Sequence, residues 1–371
     1  MKFLLVLFVA LSSFSISAVS SETKLSDFEI LEGSRTILWY KVRKKDVQEL
    51  DFYKKIYLKN CLLLQEDGSK QDKIPKVLHF IWIGPHSFPQ ESIKYVESWK
   101  KYHPEWTMKF WTDSAERDCP IKGMERHLID EVDLTFCKDL IDKTDNYAEK
   151  SDLLRYEILY HEGGTYVDHD VECYHSFDQL HGTYDFYAGL EPPHRNAKLP
   201  AKFFPSNALF GSKAQHPVLK STMEFVKKNW SAVEEFYPAN DAKSNFSRVI
   251  TRSFNSFTLG TKEGIDQKGN VDIIFPASFF SPDRIIPENT MEIFKEKGFV
   301  LASHKYAATW LDPVPEDPLK ELLESYKQHK ASINKKISSL TLFMEINCLI
   351  TLILIILYLR HYRIEKREKS E

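Results

Sequence analysis

The stretch Glu149-Lys-Ser-Asp152-Leu-Leu-Arg155-Tyr-Glu-Ile-Leu-Tyr-His-Glu-Gly163-Gly164-Thr-Tyr166-Val-Asp168-His-Asp170 decides how this chain is read. Leu153, Leu154, Tyr156, Ile158 and Leu159 predict a helix with a heavily buried surface. Gly163 and Gly164 stop it, because glycine accepts the left-handed backbone found just past a helix C-terminus. Thr165 to Val171 is then expected to extend as a strand. Strand side chains alternate, so Asp168 and Asp170 are expected on one face, with Cα atoms about 6.6 Å apart. Two carboxylates at a strand end can gather a divalent cation, and hard oxygen ligands select magnesium, manganese or calcium over zinc.

The bare Asp-x-Asp says little. With 23 aspartates in 371 residues, about one such pair arises by chance. Context carries the inference. Asp152 and Arg155 are three apart, hence on one helix face, and a tight glycine turn brings that face near the strand end. An arginine fork suits phosphate or sugar hydroxyls. The bland alternative is a surface salt bridge, but a helix that otherwise buries itself makes two charges harder to dismiss.

Upstream, Val77-Leu-His-Phe-Ile-Trp-Ile83 is a short apolar run ended by Gly84-Pro85, the pattern of a buried parallel strand. Glu91 to Tyr102 reads as a helix and Trp106 to Trp111 as a second strand, which together make a βαβ unit. Further strands are expected at Tyr184 to Leu190, Asn207 to Phe210 and Val271 to Phe275, and a helix at Pro217 to Lys228. Pro313, Pro315 and Pro318 mark the end of the domain.

Composition sets the outer limits. The chain is 43% hydrophobic, 28% charged and 13% aromatic, with a formal net charge of −3. Disordered, collagen-like and coiled-coil classes are excluded, and no global basic field points to a nucleic acid polymer. No Walker loop, GxGxxG, HExxH or GxSxG is present, so ATPases, dehydrogenases, zincins and serine hydrolases lack support. An aspartyl-nucleophile phosphotransferase needs a hydroxyl residue soon after its Asp-x-Asp, and Asp168-His-Asp-Val-Glu172 lacks one. A non-catalytic membrane-tethered binding protein on the same fold is the other alternative.

Both ends carry apolar segments. Residues 1–20, with Lys2 before the run Phe3 to Leu11 and small residues after it, read as a signal peptide or anchor. Residues 337–359 read as one transmembrane helix that includes Glu345 near its non-cytoplasmic end. Arg360, Arg363, Lys366, Arg367 and Lys369 make 360–371 a basic cytoplasmic tail. Between them the expected divisions are a helical lead-in at 21–72, a catalytic domain at 73–312 and a linker at 313–336. Cys61, Cys119, Cys137 and Cys173 would then lie outside the cytoplasm and allow three full pairings. Asn229-Trp-Ser and Asn245-Phe-Ser would be glycosylation acceptors there.

Ile74-Pro-Lys-Val-Leu-His-Phe-Ile-Trp-Ile-Gly84, Trp106 to Asp113, and the Ser151-Asp-x-x-Arg-Tyr to Asp170 block with Gly163-Gly-x-Tyr-x-Asp-x-Asp carry a family resemblance. Over roughly residues 74 to 312 the chain resembles glycosyltransferase family 32, the sugar transferases containing a DXD motif. That family includes fungal mannosyltransferases acting on inositol phosphoceramide and on N-glycans, and the same constellation occurs in glucosylating clostridial toxins. The resemblance implies an α/β, Rossmann-like GT-A nucleotide-diphospho-sugar transferase fold, a Mn2+ or Mg2+ ion and a nucleotide-sugar donor, GDP-mannose favoured and a UDP-sugar the alternative. It also implies retention of anomeric configuration.

By the same resemblance Asp168 would contact the ribose, or the metal through water, and Asp170 would bind the metal directly. Asp152 and Arg155 would hold the donor sugar. Trp82 matches the aromatic that stacks on the nucleobase, its alternative being a core tryptophan. Tyr166 matches the tyrosine preceding the acidic pair. His304 would complete the metal shell or is an ordinary histidine, Trp310 would cover the pyrophosphate, and Asn207 sits where donor or acceptor approaches. Ala307-Ala-Thr309 departs from the Gly-Ser-type residues usual before that tryptophan. A C-terminal span after the catalytic domain resembles the sphingolipid mannosyltransferases, which favours a lipid-linked acceptor, with a glycan next. A catalytic domain outside the cytoplasm needs imported nucleotide sugar, which favours a secretory-pathway membrane, the Golgi foremost, with the catalytic domain lumenal.

Overall fold

The computed structural model describes residues 23–65, 71–193, 203–238, 241–307 and 309. The expected signal or anchor at 1–20 lies outside these residues, as do Trp310, the linker, the span at 337–359 and the tail. Among the described residues no helix is long and apolar enough to cross a membrane.

The chain builds a mixed α/β fold around a seven-stranded sheet. In chain order the strands are β1 (Val77–Ile81), β2 (Thr107–Thr112), β3 (Glu125–Leu128), β4 (Gly164–Val167), β5 (Val171–Cys173), β6 (Phe186–Leu190), β7 (Pro205–Ser212), β8 (Asp272–Phe275) and β9 (Ala302–His304). The large sheet has the order β3-β2-β1-β4-β7-β6-β8, and β5 pairs with β9 in a separate two-stranded ribbon. The β1/β2, β1/β4, β2/β3 and β6/β8 pairs are parallel; only β7 runs against its neighbours β4 and β6.

The expected βαβ unit is present, with helix α1 (Ile93–Tyr102) crossing from β1 to β2. Four of the five β1 residues are buried, as in a parallel strand covered on both faces. Trp99 from α1 is fully buried and its indole N–H donates to the Val171 carbonyl at 2.8 Å, which ties the helix to β5. Helix α2 (Tyr147–Glu162) buries Leu153, Leu154, Tyr156, Ile158 and Leu159 as the pattern predicts, and buries Glu149, Asp152, Arg155 and Glu157 as well. Glu157 is fully buried because it accepts the backbone N–H groups of Phe136 and Cys137, both at 2.6 Å, and of Thr135 at 3.2 Å.

The two glycines after α2 have φ of 68° and 103°. A Cβ on Gly164 would lie 2.7 Å from the Val77 carbonyl oxygen and 2.8 Å from His79 Nε2. Glycine is therefore required twice over at this position, for its backbone angle and for the close passage of β4 beside β1.

Helix α3 (Pro217–Phe236) is longer than the expected 217–228, and its packing partner is a helix over Ser256–Gly264. The lead-in is helical at Lys44–Asn60. It packs on the edge of the large sheet, with Asn60 Nδ2 donating to the Asp272 carbonyl and the Tyr57 ring against Phe275. Cys61, Cys119, Cys137 and Cys173 are all free thiols.

One expectation is corrected. Thr165 to Val171 is not a single strand. β4 ends at Val167, residues 168–170 form a turn, and Val171 starts the second sheet. Asp168 is the hinge: its N–H donates to the Ala208 carbonyl of β7 at 2.8 Å, and its carbonyl accepts the Val171 N–H at 3.1 Å. Asp168 and Asp170 are thus brought to one place by a reversal of the chain, not by strand alternation.

Candidate active site

The strand directions place the candidate side chains. β1, β4 and β6 are parallel, so their C-terminal ends share one edge, and β7 brings its N-terminal half to the same edge by running the other way. In such sheets ligands bind where the strands end. Trp82 follows β1, Asp168 follows β4, Glu191 follows β6, and Asn207 is the third residue of β7. The ribbon completes the site, because β5 pairs antiparallel with β9 with Val171 opposite His304, which sets His304 beside Asp170.

Arg155 organises one half of this edge. Its Nη2 lies 2.9 Å from Asp152 Oδ1 and donates to Ser151 Oγ at 3.2 Å. Nη1 donates to the Asn207 carbonyl at 2.8 Å and stands 3.4 Å from Asp168 Oδ1, and Nε donates to the Ser151 carbonyl at 3.3 Å. The guanidinium also lies over the Tyr166 ring, 4.1 Å from its centroid. Tyr166 in turn donates its hydroxyl to Asp168 Oδ1 at 2.5 Å. Asn207 closes the circle, its amide nitrogen donating to Asp152 Oδ1 at 3.1 Å, Tyr156 Oη at 2.9 Å and Ser253 Oγ at 2.9 Å.

Five predicted residues, Asp152, Arg155, Tyr166, Asp168 and Asn207, therefore form one network, buried except at half-buried Asp168. Burial pushes the Asp152 carboxyl up to about 6, against the pull of Arg155. The Arg155 side chain is only 7% exposed, so in this structure its fork serves the protein first.

The other half holds the second aspartate. Asp170 Oδ2 accepts the Ala307 N–H at 2.6 Å and lies 3.5 Å from His304 Nε2, and its carbonyl accepts the Lys305 N–H at 2.9 Å. Burial alone would favour neutral forms of both side chains, but each holds the other charged. The Asp170 carboxyl is held well below its ordinary range, and the His304 imidazole is raised to about 9 by Asp170 and Glu191.

Asp168, Asp170 and His304 each offer one ligand atom, and these atoms lie within 4.8 Å of one another. Two carboxylates and an imidazole at that spacing fit a manganese- or magnesium-class cation. The side chains of Asp168, His304 and Asp170 are 25%, 15% and 5% exposed, so Asp168 is the most open of the three.

Trp82 is half-buried beside this cluster. Its ring makes edge contacts with Phe88 at 5.4 Å and with His169 at 5.1 Å between centroids, and its N–H donates to the His86 carbonyl at 2.8 Å. His169, between the two aspartates, is fixed by Ser92 Oγ at 2.8 Å and Thr309 Oγ1 at 2.9 Å. The turn is thereby clamped to the start of α1 on one side and to the closing segment on the other.

Ser92, His169, Glu191 and Tyr306 join the candidate site although no sequence pattern singles them out as a group. Only Glu191 carried a readable signal: an acid directly after an apolar strand and before Pro192-Pro193. The loop after β1 is also pinned from β2: Asp113 Oδ2 accepts the Gly84 N–H at 2.7 Å, and Arg117 donates to the Gly84 and His86 carbonyls.

Residues 89–187 match the family model described as "Glycosyltransferase sugar-binding region containing DXD motif". The chain is similar to an uncharacterized glycosyltransferase of Acanthamoeba polyphaga mimivirus, 30% identical over 192 residues, which is 51% of this chain and 66% of that protein. It is 33% identical over 133 residues to "Subversion of eukaryotic traffic protein A" of Legionella pneumophila, covering 32% of this chain and 20% of the relative. It is 30% identical over 162 residues to a mannosyl phosphorylinositol ceramide synthase of Saccharomyces cerevisiae, covering 42% and 37%. The chain thus spans less than two thirds of the length of these relatives. Among solved structures, the catalytic domain of alpha-toxin from Clostridium novyi overlaps 82% of this chain and 93% of its own at 11% identity and a TM-score of 0.42.

Proposed function

The chain belongs to the sugar transferases whose sugar-binding region contains a DXD motif, and from that premise we propose that it is a metal-dependent retaining glycosyltransferase on a GT-A fold. It moves a hexose, mannose favoured, from a nucleotide-sugar donor, GDP-mannose favoured. The observation that carries this reading is the meeting of Asp168, Asp170 and His304 at the C-terminal edge of the sheet.

Asp168, Asp170 and His304 would hold the cation. When bound, a divalent ion there neutralises the charge that grows on a departing nucleoside diphosphate. The protein supplies the rest. Arg155 and Tyr166 orient Asp168, Ala307 and His304 orient Asp170, and half-buried Trp82 offers an aromatic surface to a base. Asp152, held by Arg155 and Asn207, is the carboxylate we place toward the donor sugar. A cradle fixed before the reaction needs little reorganisation as charge develops.

The acceptor proposed is a lipid-linked one, inositol phosphoceramide foremost, with a glycan as the alternative. Support comes from the names of fungal relatives, among them inositol phosphoceramide mannosyltransferases of Schizosaccharomyces pombe. The apolar stretch at 337–359 followed by basic residues supports a single-pass Golgi enzyme with a lumenal catalytic domain.

The test is consumption of GDP-mannose, UDP-glucose, UDP-galactose and UDP-N-acetylglucosamine by the purified chain, with and without manganese. One donor should be consumed, in a manganese-dependent manner. A chain that binds nucleotide sugar without turning any over, with acceptor present, would instead be the tethered binding protein.

A further inference from the structure

His304 directs its two ring nitrogens at two different carboxylates. Nε2 lies 3.5 Å from Asp170 Oδ2, on the side of the candidate cation ligands, while Nδ1 lies 3.9 Å from Glu191 Oε1. Nδ1 is buried and has no hydrogen-bond partner among the described residues. A buried donor left so costs stability unless something completes its bond. The Glu191 side chain is 2% exposed.

Glu191 is itself held. Its Oε2 accepts the Tyr306 hydroxyl at 2.6 Å, and its N–H donates to the Phe204 carbonyl at 2.9 Å. The Tyr306 ring stacks on the His304 ring with centroids 4.0 Å apart, and the Arg284 guanidinium lies 3.8 Å from its centroid. Tyr306 has a φ of 55°, a backbone state that a bulky residue adopts only where its surroundings impose it. Stack, hydrogen bond and cation–π contact together supply that imposition.

Histidines that ligate metals commonly give their other N–H to a carboxylate, which fixes the tautomer and aims the ring. We propose that Glu191 is the positioning residue of His304. It accepts the Nδ1 proton, leaves Nε2 as the ligand nitrogen facing Asp170, and is held in register by Tyr306. The assignment rests on the cation reading of Asp168, Asp170 and His304. Closing the gap from 3.9 Å to a hydrogen bond needs a movement of about 1 Å.

The test uses the full chain and manganese alone, with free ion measured by electron paramagnetic resonance. Glu191→Gln should raise the manganese dissociation constant about tenfold, and Tyr306→Phe should act in the same direction. In a His304→Ala background Glu191→Gln should cost nothing further, because its route is gone. A purely structural Glu191 would lower the unfolding midpoint without that coupling. Folded Glu191→Gln and Tyr306→Phe chains that bind manganese within twofold of the parent overturn the proposal, and Tyr306→Phe decides alone if Glu191→Gln does not fold. A parent chain that binds manganese no better than Asp170→Asn overturns the cation reading underneath, and this role falls with it.

Discussion

Arg155 Nη1 stands 3.4 Å from Asp168 Oδ1 while donating to the Asn207 carbonyl at 2.8 Å, so one helix residue fixes both the acidic turn and the strand beside it. The contact also makes Arg155 a fold residue. Arg155→Ala should destabilise the chain by roughly 3–5 kcal/mol, since it strands Asp152 without its buried partner. Arg155→Lys keeps the charge but loses the fork, and should be intermediate. Urea unfolding of the two variants checks the order.

Asp170 carries a charge and also anchors the closing segment through the Ala307 N–H at 2.6 Å. Asparagine keeps the acceptor and drops the charge, whereas alanine drops both. Donor turnover should therefore fall by roughly 10²–10³ in Asp170→Asn with its melting temperature near the parent's. Asp170→Ala should lose turnover and become easier to cleave near Ala307 by protease. Equal protease sensitivity would mean that the Ala307 contact anchors nothing.

Gly164 leaves no room for a methyl group. With φ at 103° and the Val77 carbonyl oxygen 2.7 Å from where a Cβ would stand, Gly164→Ala should cost about 3 kcal/mol from strain and overpacking together. Gly123 has a similar φ of 91° but nothing within 4 Å. Gly123→Ala should cost clearly less, and paired chemical denaturation curves make the comparison.

Three buried histidines should make the fold sensitive to mild acid. Burial lowers His79 to about 4, His103 to about 4 and His181 to about 3. His79 accepts the Trp111 N–H at Nδ1 and bonds the Gly163 carbonyl through Nε2, an arrangement that requires the neutral ring. The unfolded chain, with histidine near 6.5, binds more protons below that pH, so stability falls as pH drops from about 6.5 toward 4. Urea midpoints of the parent and of His79→Gln at pH 7.5, 6 and 5 isolate this contribution. The gap between the parent and His79→Gln should narrow on the way down, and a gap that stays constant would remove His79 from the explanation.

Much of the fold was legible because it rests on local patterns. The β1–α1–β2 unit follows from an apolar run, an amphipathic helix and an alternating strand, and all three lie within a few residues of their expected places. The Gly163-Gly164 stop followed from the conformational needs of a helix end. The turn at Asp168 was not legible, because its cause is a hydrogen bond to Ala208, forty residues away. β3 was missed because Glu-Arg-His-Leu is polar and partly exposed at a sheet edge. The candidate site shows the same division. Asp152, Arg155, Tyr166, Asp168 and Asp170 lie in one stretch, so the sequence offers them together as candidates. Glu191 and Tyr306 matter through their contacts across the fold, and those depend on the β5–β9 pairing that sets His304 beside Asp170.

Metal-dependent donor binding is measured by calorimetric titration of GDP and UDP into the full chain with and without manganese, repeated on Asp170→Asn. One of the two diphosphates should bind only with the metal, and the variant should lose this binding while staying folded. Binding of equal strength without manganese, or unchanged binding to Asp170→Asn, would contradict metal-dependent donor binding.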